Sequence, residues 1–504
     1  MKRKIKYIAA FIVTSIILVS CTDLSVELYD RIAAEDFPED GTSQSSTLTT
    51  PVYAPLKDFL DWGCWWFAQE LTSDEMVCPT RLTDWDDGGK WRVLHTHTWD
   101  NQTETVNSMW SRFYQGIGEC NRLIEIFQVG DSDAARATVA KLKAMRAFYY
   151  YQLIDNYGDV PYYTGYSTAP EFPFKEHRAI VWDSIVADLE SVIELVPVSS
   201  TKTVISQGFA YTILAKLYLN AEVYTGRTDN NFWVKAEEYC NKVIESGIYS
   251  LESNPLAPFV TENQNSTENI FTIPFDENNY TGFNLHMRTL HYASNQTFNM
   301  SAGPWNGFCA TEAQYDLYSD EDIRKEEYFL VGQQYSYAGL ELSDGGAEGA
   351  KLVLNPHIPA LEMDASYSLE EIRMSGARVK KFEIKLGAKD NLSNDFPLFR
   401  YADVLFMMAE AQLRQGKAVD VPDLDLIRTR AGLTAWNGNV TLDELLAERG
   451  RELFWEGYRR QDLIRFGKFG DAWWEKPAST KDRETFPIPQ WVLDGNPNVN
   501  SFEN

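Results

Sequence analysis

The stretches PLFRYADVLFMMAEA at residues 397–411 and ERGRELFWEGYRRQDLIR at residues 448–465 carry the clearest structural pattern in this 504-residue chain. In the first stretch, apolar residues recur at the spacing of a helix. Residues 401–415 and 421–431 are therefore predicted to form a helix pair. In the second stretch, the charged positions suit one helix face while Leu453 and Phe454 are buried.

Opposite charges fall three and four positions apart in the second stretch, where they can pair along the helix: Glu448, Arg451, Glu452, Glu456, Arg459 and Arg460. A catalytic role for Glu452 or Glu456 is not favoured. Neighbouring arginines keep a carboxylate ionised, whereas a general acid needs a raised pKa. We therefore interpret this charge pairing as structural.

Further helices are predicted outward from these stretches, at residues 109–127, 134–157, 207–224 and 233–246. Gly158 is expected to end the second of them. Small and large residues alternate in 207–224, which is typical of a tetratricopeptide (TPR) hairpin; plain antiparallel helix pairs would pack similarly. Residues 250–400 predict long loops with a few short strands, one of them at 270–275. The expected fold class is mainly α, with degenerate TPR-like pairs.

The N-terminus has the pattern of a bacterial lipoprotein signal. Basic residues precede an apolar stretch at 8–18 that is too short to span a bilayer, and Cys21 follows the small residues Val19 and Ser20. An ordinary secretory signal with an incidental cysteine is the alternative. We predict a signal peptide at 1–20, a tether lipidated at Cys21 over 21–50, and one body at 51–504. That body would comprise a helical part at 51–250, a loop-rich ligand region at 251–396 and a C-terminal helical part at 397–504.

Composition excludes several classes of protein. With 44% hydrophobic residues the chain is globular, and a formal net charge of -27 makes nucleic acid a poor ligand. Five further cysteines are widely spaced and contain no CxxC pair, so we expect neither a disulfide framework nor a zinc site from them. The 27 Phe, 26 Tyr and 15 Trp exceed what a core of this size needs. Some aromatic rings should therefore face a ligand.

Both opening stretches strongly resemble the SusD/RagB family. Shorter matches lie at residues 110–122, 146–150, 156–161, 486–489 and 496–498. The resemblance implies a SusD-like fold and a lipid-anchored protein of the outer membrane that faces the extracellular side. It also implies a role without catalysis or cofactor: capture of an oligosaccharide for a SusC-like TonB-dependent transporter.

Residues 70–99 hold most of the chemically distinctive side chains, and three types of site compete for them. A calcium loop from Asp84 would need an acidic twelfth residue but has His95. For zinc, His95 and His97 lack a third ligand at a familiar spacing, so they are expected to be ordinary surface histidines. A pair of acids between Asp74 and Asp87 could act as a glycosidase pair, but sequence spacing does not give the carboxyl separation. We expect no metal site.

Sugar recognition is the preferred interpretation, because sugar sites combine planar aromatic rings with hydrogen-bonding groups. In the first cluster, both kinds of group surround a tight turn at Gly88 and Gly89; they are supplied by Asp74, Arg81, Trp85, Asp86 and Trp91. The second is a polar aromatic loop whose predicted ligand contacts are Tyr292, Trp305 and Asn306. Core packing is the alternative for every tryptophan, above all for Trp62, Trp65 and Trp66 in one apolar run.

The sequence thus predicts a non-catalytic, cell-surface glycan-binding lipoprotein that works with a transporter. GxSxG, HExxH and P-loop signatures are absent from it. Two alternatives stay open: a surface glycoside hydrolase that uses acids in the 74–87 region, and a peptide-binding lipoprotein of the same fold.

Overall fold

The structure is a computed structural model that describes residues 49–346 and 349–502. These residues form eighteen α-helices: α1 Ala54–Lys57, α2 Trp65–Leu71, α3 Arg92–His95, α4 Glu104–Phe127, α5 Asp133–Tyr157, α6 Arg178–Glu190, α7 Gln207–Leu219, α8 Ala221–Thr225, α9 Asn230–Glu245, α10 Leu285–Thr289, α11 Glu312–Asp316, α12 Ile323–Tyr328, α13 Leu369–Met374, α14 Tyr401–Arg414, α15 Leu424–Thr429, α16 Leu442–Glu452, α17 Arg459–Arg465 and α18 Gln490–Gly495. The predicted mainly α fold class is confirmed. The predicted signal peptide, Cys21 and residues 21–48 of the predicted tether lie outside the described residues.

Twelve short strands occur in the same residues: β1 Met76–Val77, β2 Thr80–Arg81, β3 Val160–Pro161, β4 Lys175–Glu176, β5 Asn269–Ile273, β6 Cys309–Ala310, β7 Phe329–Leu330, β8 Gly332–Gln333, β9 Val353–Leu354, β10 Glu362–Met363, β11 Arg378–Val379 and β12 Phe396–Arg400. They pair two by two, and only β2 and β10 run parallel. The strand predicted at 270–275 is β5, which pairs with β12 in front of α14.

Helices α4 and α5 form the first packed pair of the scaffold. Gly116 permits their close approach, since a Cβ at that position would lie 2.3 Å from the Tyr149 ring. Helix α5 begins at the N-cap Ser132, whose side chain accepts a hydrogen bond from the amide of Ala135. It ends at Gly158, as predicted, because Gly158 takes a φ of 75°.

The second group of packed helices comprises α7, α9 and α14. The helix predicted at 207–224 is interrupted at Asn220, where α7 ends and α8 begins. The Asn220 side chain donates to the carbonyl of Lys216 and accepts from Arg465, which competes with regular helical hydrogen bonding. The helix predicted at 421–431 is shorter, Leu424–Thr429. One hydrophobic cluster runs through both groups and includes residues from Val52 to Val499.

Charged residues of the C-terminal motif are buried in a network of ion pairs. The Glu452 carboxylate lies 2.9 Å from Arg324, 2.7 Å from Arg430 and 3.2 Å from Arg400. Burial alone would raise the pKa of Glu452, but the surrounding guanidiniums outweigh it and lower the pKa to about 2. The predicted pair of Glu448 with Arg451 is present at 2.6 Å.

The predicted pairing of Glu456 with Arg459 or Arg460 is wrong. Residues 453–458 form a turn between α16 and α17, so the helical spacing does not apply. Glu456 instead pairs with Lys381 at 2.6 Å and Arg400 at 2.7 Å.

Candidate functional site

A cavity of about 610 Å³ opens between the loop at residues 81–90 and the loop at residues 292–307. Eight residues line it, and four of them are aromatic: Trp62, Asp84, Trp85, Asp87, Lys90, Tyr292, Pro304 and Trp305. The three tryptophans and the tyrosine are half-buried, so each has part of its ring accessible. We call this set of eight residues the aromatic cavity.

Trp62 lies at the centre of the tryptophan cluster. Its ring is stacked on Trp305 at a centroid distance of 5.6 Å and tilted against Trp85 at 5.8 Å. Behind it, the guanidinium of the buried Arg288 lies 4.8 Å from the Trp62 ring and donates to the carbonyl of Leu60. The ring is therefore held from several sides before any ligand arrives.

The 81–90 loop is held in strained backbone conformations. Leu82, Trp85 and Asp87 have positive φ angles of 60°, 60° and 41°, which side-chain-bearing residues rarely adopt. Arg81 anchors the start of the loop. Its guanidinium donates to the carbonyl of Ile372 and, at 2.9 Å, to the carbonyl of Ser375.

The 292–307 loop carries Tyr292 on a short 3-10 turn, Tyr292–Asn295, and Trp305 near its end. The amide of Trp305 donates to the carbonyl of Met287 at 2.7 Å. Asn306 takes a φ of 57°, and its side-chain oxygen accepts from the buried Arg378 at 2.7 Å. These contacts fix the backbone at Trp305 and Asn306, and therefore the position from which the Trp305 side chain extends.

The two loops are also bonded to each other. The Trp85 Nε1 donates to the carbonyl of Trp305 at 2.7 Å, and the Tyr292 hydroxyl donates to the Asp84 carboxylate. Burial, together with the neighbouring Asp84, raises the pKa of Tyr292 to about 12, so this hydroxyl keeps its proton at neutral pH.

Known families match this chain in both halves. The family model described as the SusD family matches residues 368–503, and the model described as starch-binding associating with outer membrane matches residues 68–219. The starch-binding protein SusD of Bacteroides thetaiotaomicron is 24% identical over 485 residues, covering 86% of this chain and 84% of that protein. The chain belongs to the SusD/RagB family.

Solved structures show the same fold. A SusD superfamily protein from Parabacteroides distasonis matches with a TM-score of 0.75 at 20% identity, covering 93% of this chain and 99% of that one. Surface glycan-binding protein A from Bacteroides thetaiotaomicron, in complex with laminarihexaose, matches with a TM-score of 0.69 at 21% identity, covering 90% and 98%.

Three of the seven ligand residues predicted for this SusD/RagB family member line the aromatic cavity: Trp85, Tyr292 and Trp305. Trp91 does not. It is 1% exposed, stacks on Phe67 at 5.0 Å and donates from Nε1 to Asp87 at 2.7 Å. Core packing, the alternative considered for each tryptophan, applies to Trp91, which forms the floor beneath the cavity.

Asp74, Arg81 and Asn306 also lie outside the lining, and we remove them from the candidate site. Asp74 is held by Arg459 through two hydrogen bonds of 2.7 and 2.8 Å. Arg81 and Asn306 are buried; both terminal nitrogens of Arg81 and both polar side-chain atoms of Asn306 have partners within the protein. Buried groups with protein partners cannot meet a sugar hydroxyl without losing those bonds. Arg81 and Asn306 instead hold the two loops in place.

Five lining residues were missing from the predicted set: Trp62, Asp84, Asp87, Lys90 and Pro304. Trp62 sits beside Trp65 and Trp66 in one apolar run, and only those two are buried as that run predicts. Asp84 and Asp87 could have been predicted as lining residues from the aspartate-rich sequence at 84–87. Nothing local distinguishes Lys90 or Pro304.

Calcium and zinc sites were considered for residues 70–99. Among the residues that the structure describes, no group of three or more His, Cys, Asp or Glu side chains could hold a metal ion. His95 and His97 are buried, so the prediction that they are surface histidines is wrong. His95 contacts the carbonyl of Trp474, and His97 stacks on Phe469 at 4.4 Å. Burial lowers the pKa of His95 to about 4 and that of His97 to about 2, so both rings are neutral at pH 7.

Proposed function

We propose that this protein binds glycan, without catalysis, in the aromatic cavity. The observation that carries the proposal is the meeting of Trp62, Trp85, Trp305 and Tyr292 around one opening of about 610 Å³. Sugar rings offer apolar C–H faces that pack on aromatic rings. The Asp84 and Asp87 carboxylates at the same opening can accept hydrogen bonds from the sugar hydroxyls.

The relatives support this class of ligand. One is named as a starch-binding protein, and another is a surface glycan-binding protein solved with laminarihexaose. Both names describe binding rather than turnover, which favours a binding protein over the glycoside hydrolase alternative. The two sugars differ between the relatives, so the names support a glycan without identifying the one bound here.

We further propose that the protein is anchored to the outer membrane through lipid on Cys21, faces the extracellular side and delivers its ligand to a SusC-like TonB-dependent transporter. Two features support this: the lipoprotein-type N-terminus and the match to a family model whose description includes association with the outer membrane. In the residues that the structure describes, no helix has the length and apolar character to cross a bilayer.

The test of glycan binding is a calorimetric screen of residues 22–504 against starch, laminarin, xylan and arabinan, with product formation followed in the same samples. At least one glycan should bind and none should be cleaved. Trp305→Ala should weaken binding by about ten- to a hundred-fold, because a ring that buries about 150–250 Å² contributes on the order of 1–3 kcal/mol when partly covered.

The matched control is Trp491→Ala, which removes a tryptophan that is 54% exposed on α18 and outside the cavity lining. This variant should bind as the unmodified protein does. Unchanged binding by Trp305→Ala would move the site elsewhere. Cleavage of a glycan would favour the hydrolase, and binding of peptides instead of glycans would favour the peptide-binding alternative.

The transporter partnership is tested by gentle detergent extraction of the native membrane. A stable complex usually buries more than roughly 1,200 Å² in total. A large barrel protein should therefore co-purify in near-stoichiometric amount. Recovery of this protein alone at several salt concentrations would count against the partnership.

A further inference from the structure

We infer that the aromatic cavity selects neutral glycans and rejects glycans that carry carboxylate or sulfate groups. This inference rests on the proposed function, because it concerns the ligand of the same cavity. It follows from how the charged groups at the cavity are paired, which neither the family match nor the relatives describe.

Each of two carboxylates in the lining has one oxygen available to accept a hydrogen bond from a ligand. Asp84 accepts the Tyr292 hydroxyl on Oδ2, and Asp87 accepts the Trp91 indole N–H on Oδ2 at 2.7 Å. The Oδ1 atom of each accepts no hydrogen bond from residues 49–346 or 349–502. Both side chains belong to exposed residues. These oxygens can accept hydroxyl protons from a neutral sugar, whereas they repel an anionic group.

The cation in the lining is already paired. The Lys90 ammonium lies 3.1 Å from the Glu104 carboxylate and 4.5 Å from the centre of the Trp91 ring. An anionic sugar would have to compete with Glu104 for this ammonium. Glu104 therefore offsets part of the attraction that Lys90 exerts on a sulfate or a uronate.

Two arginines near the cavity are paired with carboxylates as well, whereas the buried Arg288 behind Trp62 donates to the carbonyl of Leu60. Arg92 contacts Asp86 at 3.0 Å and Glu362 at 2.7 Å. Arg373, whose guanidinium lies 4.6 Å from the Tyr292 ring, forms two hydrogen bonds of 2.6 and 2.8 Å with Asp344. Recognition of sulfate or carboxylate normally uses an arginine or lysine with donors to spare. In the part of the lining that the structure describes, Lys90 is the one such group, and the Glu104 carboxylate already offsets its charge.

The aromatic walls strengthen the repulsion. Charges that face each other across apolar rings are screened less than charges in bulk water. Placing like charges together is a common way to reject the wrong ligand. The formal net charge of -27 acts in the same direction over longer distances at low salt.

The experiment compares matched ligands on the folded protein. Each of starch, laminarin, xylan and arabinan is measured beside its own sulfated derivative, and oligogalacturonate and oligomannuronate serve as independent anionic probes. In about 20 mM salt, the neutral form of any bound polysaccharide should bind at least about tenfold more tightly than its sulfated form. The difference should shrink in about 500 mM salt, where the Debye length is only a few Å.

Two sets of substitutions separate charge from the added bulk of sulfate. Asp84→Asn combined with Asp87→Asn keeps the size of both side chains, and each keeps an oxygen that can accept from Tyr292 or Trp91. This double variant should reduce the ratio of affinities between the neutral and the sulfated form by several-fold. Glu104→Gln leaves the Lys90 ammonium without its carboxylate and should raise the affinity for the sulfated form. Glu238→Gln, which removes a carboxylate paired with Lys235 on α9, is the matched control and should change neither affinity.

A sulfated glycan or a uronate that binds as tightly as the neutral forms in low salt, and loses that binding in Trp305→Ala, would overturn the inference but leave the proposed function intact. The inference would also be overturned if the double Asn variant kept the same ratio of affinities between neutral and sulfated forms, because the bulk of the sulfate rather than its charge would then account for that ratio. Binding of neither neutral nor anionic probes would overturn the proposed function and this inference with it.

Discussion

The indole Nε1 of Trp85 donates a hydrogen bond of 2.7 Å to the carbonyl oxygen of Trp305. This bond joins two loops that lie 220 positions apart in the chain. Trp85 has a φ of 60°, a conformation that costs of order 1–3 kcal/mol and persists only where the surroundings impose it. The orientation of the two rings is thus established before ligand binds, which lowers the entropic cost of binding.

Gly307→Ala should weaken glycan binding by about tenfold, close to 1.4 kcal/mol, although residue 307 does not line the cavity. A Cβ at this position would lie 2.4 Å from the Trp85 ring, which must therefore move. The measurement is calorimetric binding of the glycan identified in the screen.

Gly303→Ala is the matched control for that variant. In the same loop, a Cβ at residue 303 meets only the carbonyl of Tyr292, at the ordinary distance of 3.5 Å. Equal affinities of the Gly307→Ala and Gly303→Ala proteins would show that the position of Trp85 does not matter for binding.

Trp91→Ala should lower the free energy of unfolding by about 3–5 kcal/mol, the usual range for removal of a buried tryptophan. Trp91 is 1% exposed and is packed between Phe67 and Phe308. Denaturant unfolding measures the effect. A variant with unchanged stability but lost glycan binding would return Trp91 to the ligand contacts.

Glu452→Gln should destabilise the protein by about 3–5 kcal/mol, because it removes the shared partner of three buried arginines. Those arginines are Arg324, Arg400 and Arg430. Glu238→Gln, in an exposed pair with Lys235, should change stability by no more than about 0.5 kcal/mol. Equal denaturation midpoints for the two variants would contradict this account of the buried network.

Stability should fall as the pH is lowered from about 7 to about 5. Burial lowers the pKa of His95 and of His286 to about 4, from the ordinary value of 6.5. The unfolded chain therefore binds protons in this range that the folded protein does not, so stability is full above about pH 6.5 and is lost as the pH falls towards about 4. Thermal melts at several pH values measure the loss. His286→Gln cannot titrate and should reduce the slope; an unchanged slope would exclude His286 as a contributor.

Cys21→Ala should release the protein from the membrane fraction in cells that lack the partner transporter. Two or three acyl chains, at about 0.8 kcal/mol per buried methylene, are sufficient for stable anchoring. Membrane fractionation and immunoblotting give the readout. Continued fractionation of the variant with the outer membrane would argue against lipid anchoring.

Much of the scaffold could be predicted because its causes are local. Helical spacing of apolar residues indicated α4, α5, α9 and α14, and Gly158 marked the end of α5, where a positive φ is needed. The errors occurred where distant residues compete with local preference. Asn220 interrupts a helix through its bond to Arg465, and Glu456 is turned towards Lys381 and Arg400.

The candidate site was only partly predictable for the same reason. Loop composition placed Trp85, Tyr292 and Trp305 among the predicted ligand contacts, and in the structure these three residues line one cavity. It did not distinguish a ring that lines the cavity from one buried beneath it, so Trp91 was included and Trp62 was left with the core. Asp74 and Arg81 had the right chemistry for sugar, but their partners come from residues 459 and 372–375.

The sequence by itself determined the helical scaffold, the membership of a family and the type of residue available for binding, because periodicity, turn residues and motifs are properties of neighbouring positions. Only the tertiary structure decided which of those residues meet at the cavity and which are already engaged. Burial and hydrogen bonding depend on segments far apart in the chain, such as residues 85 and 305, whose approach no local pattern records.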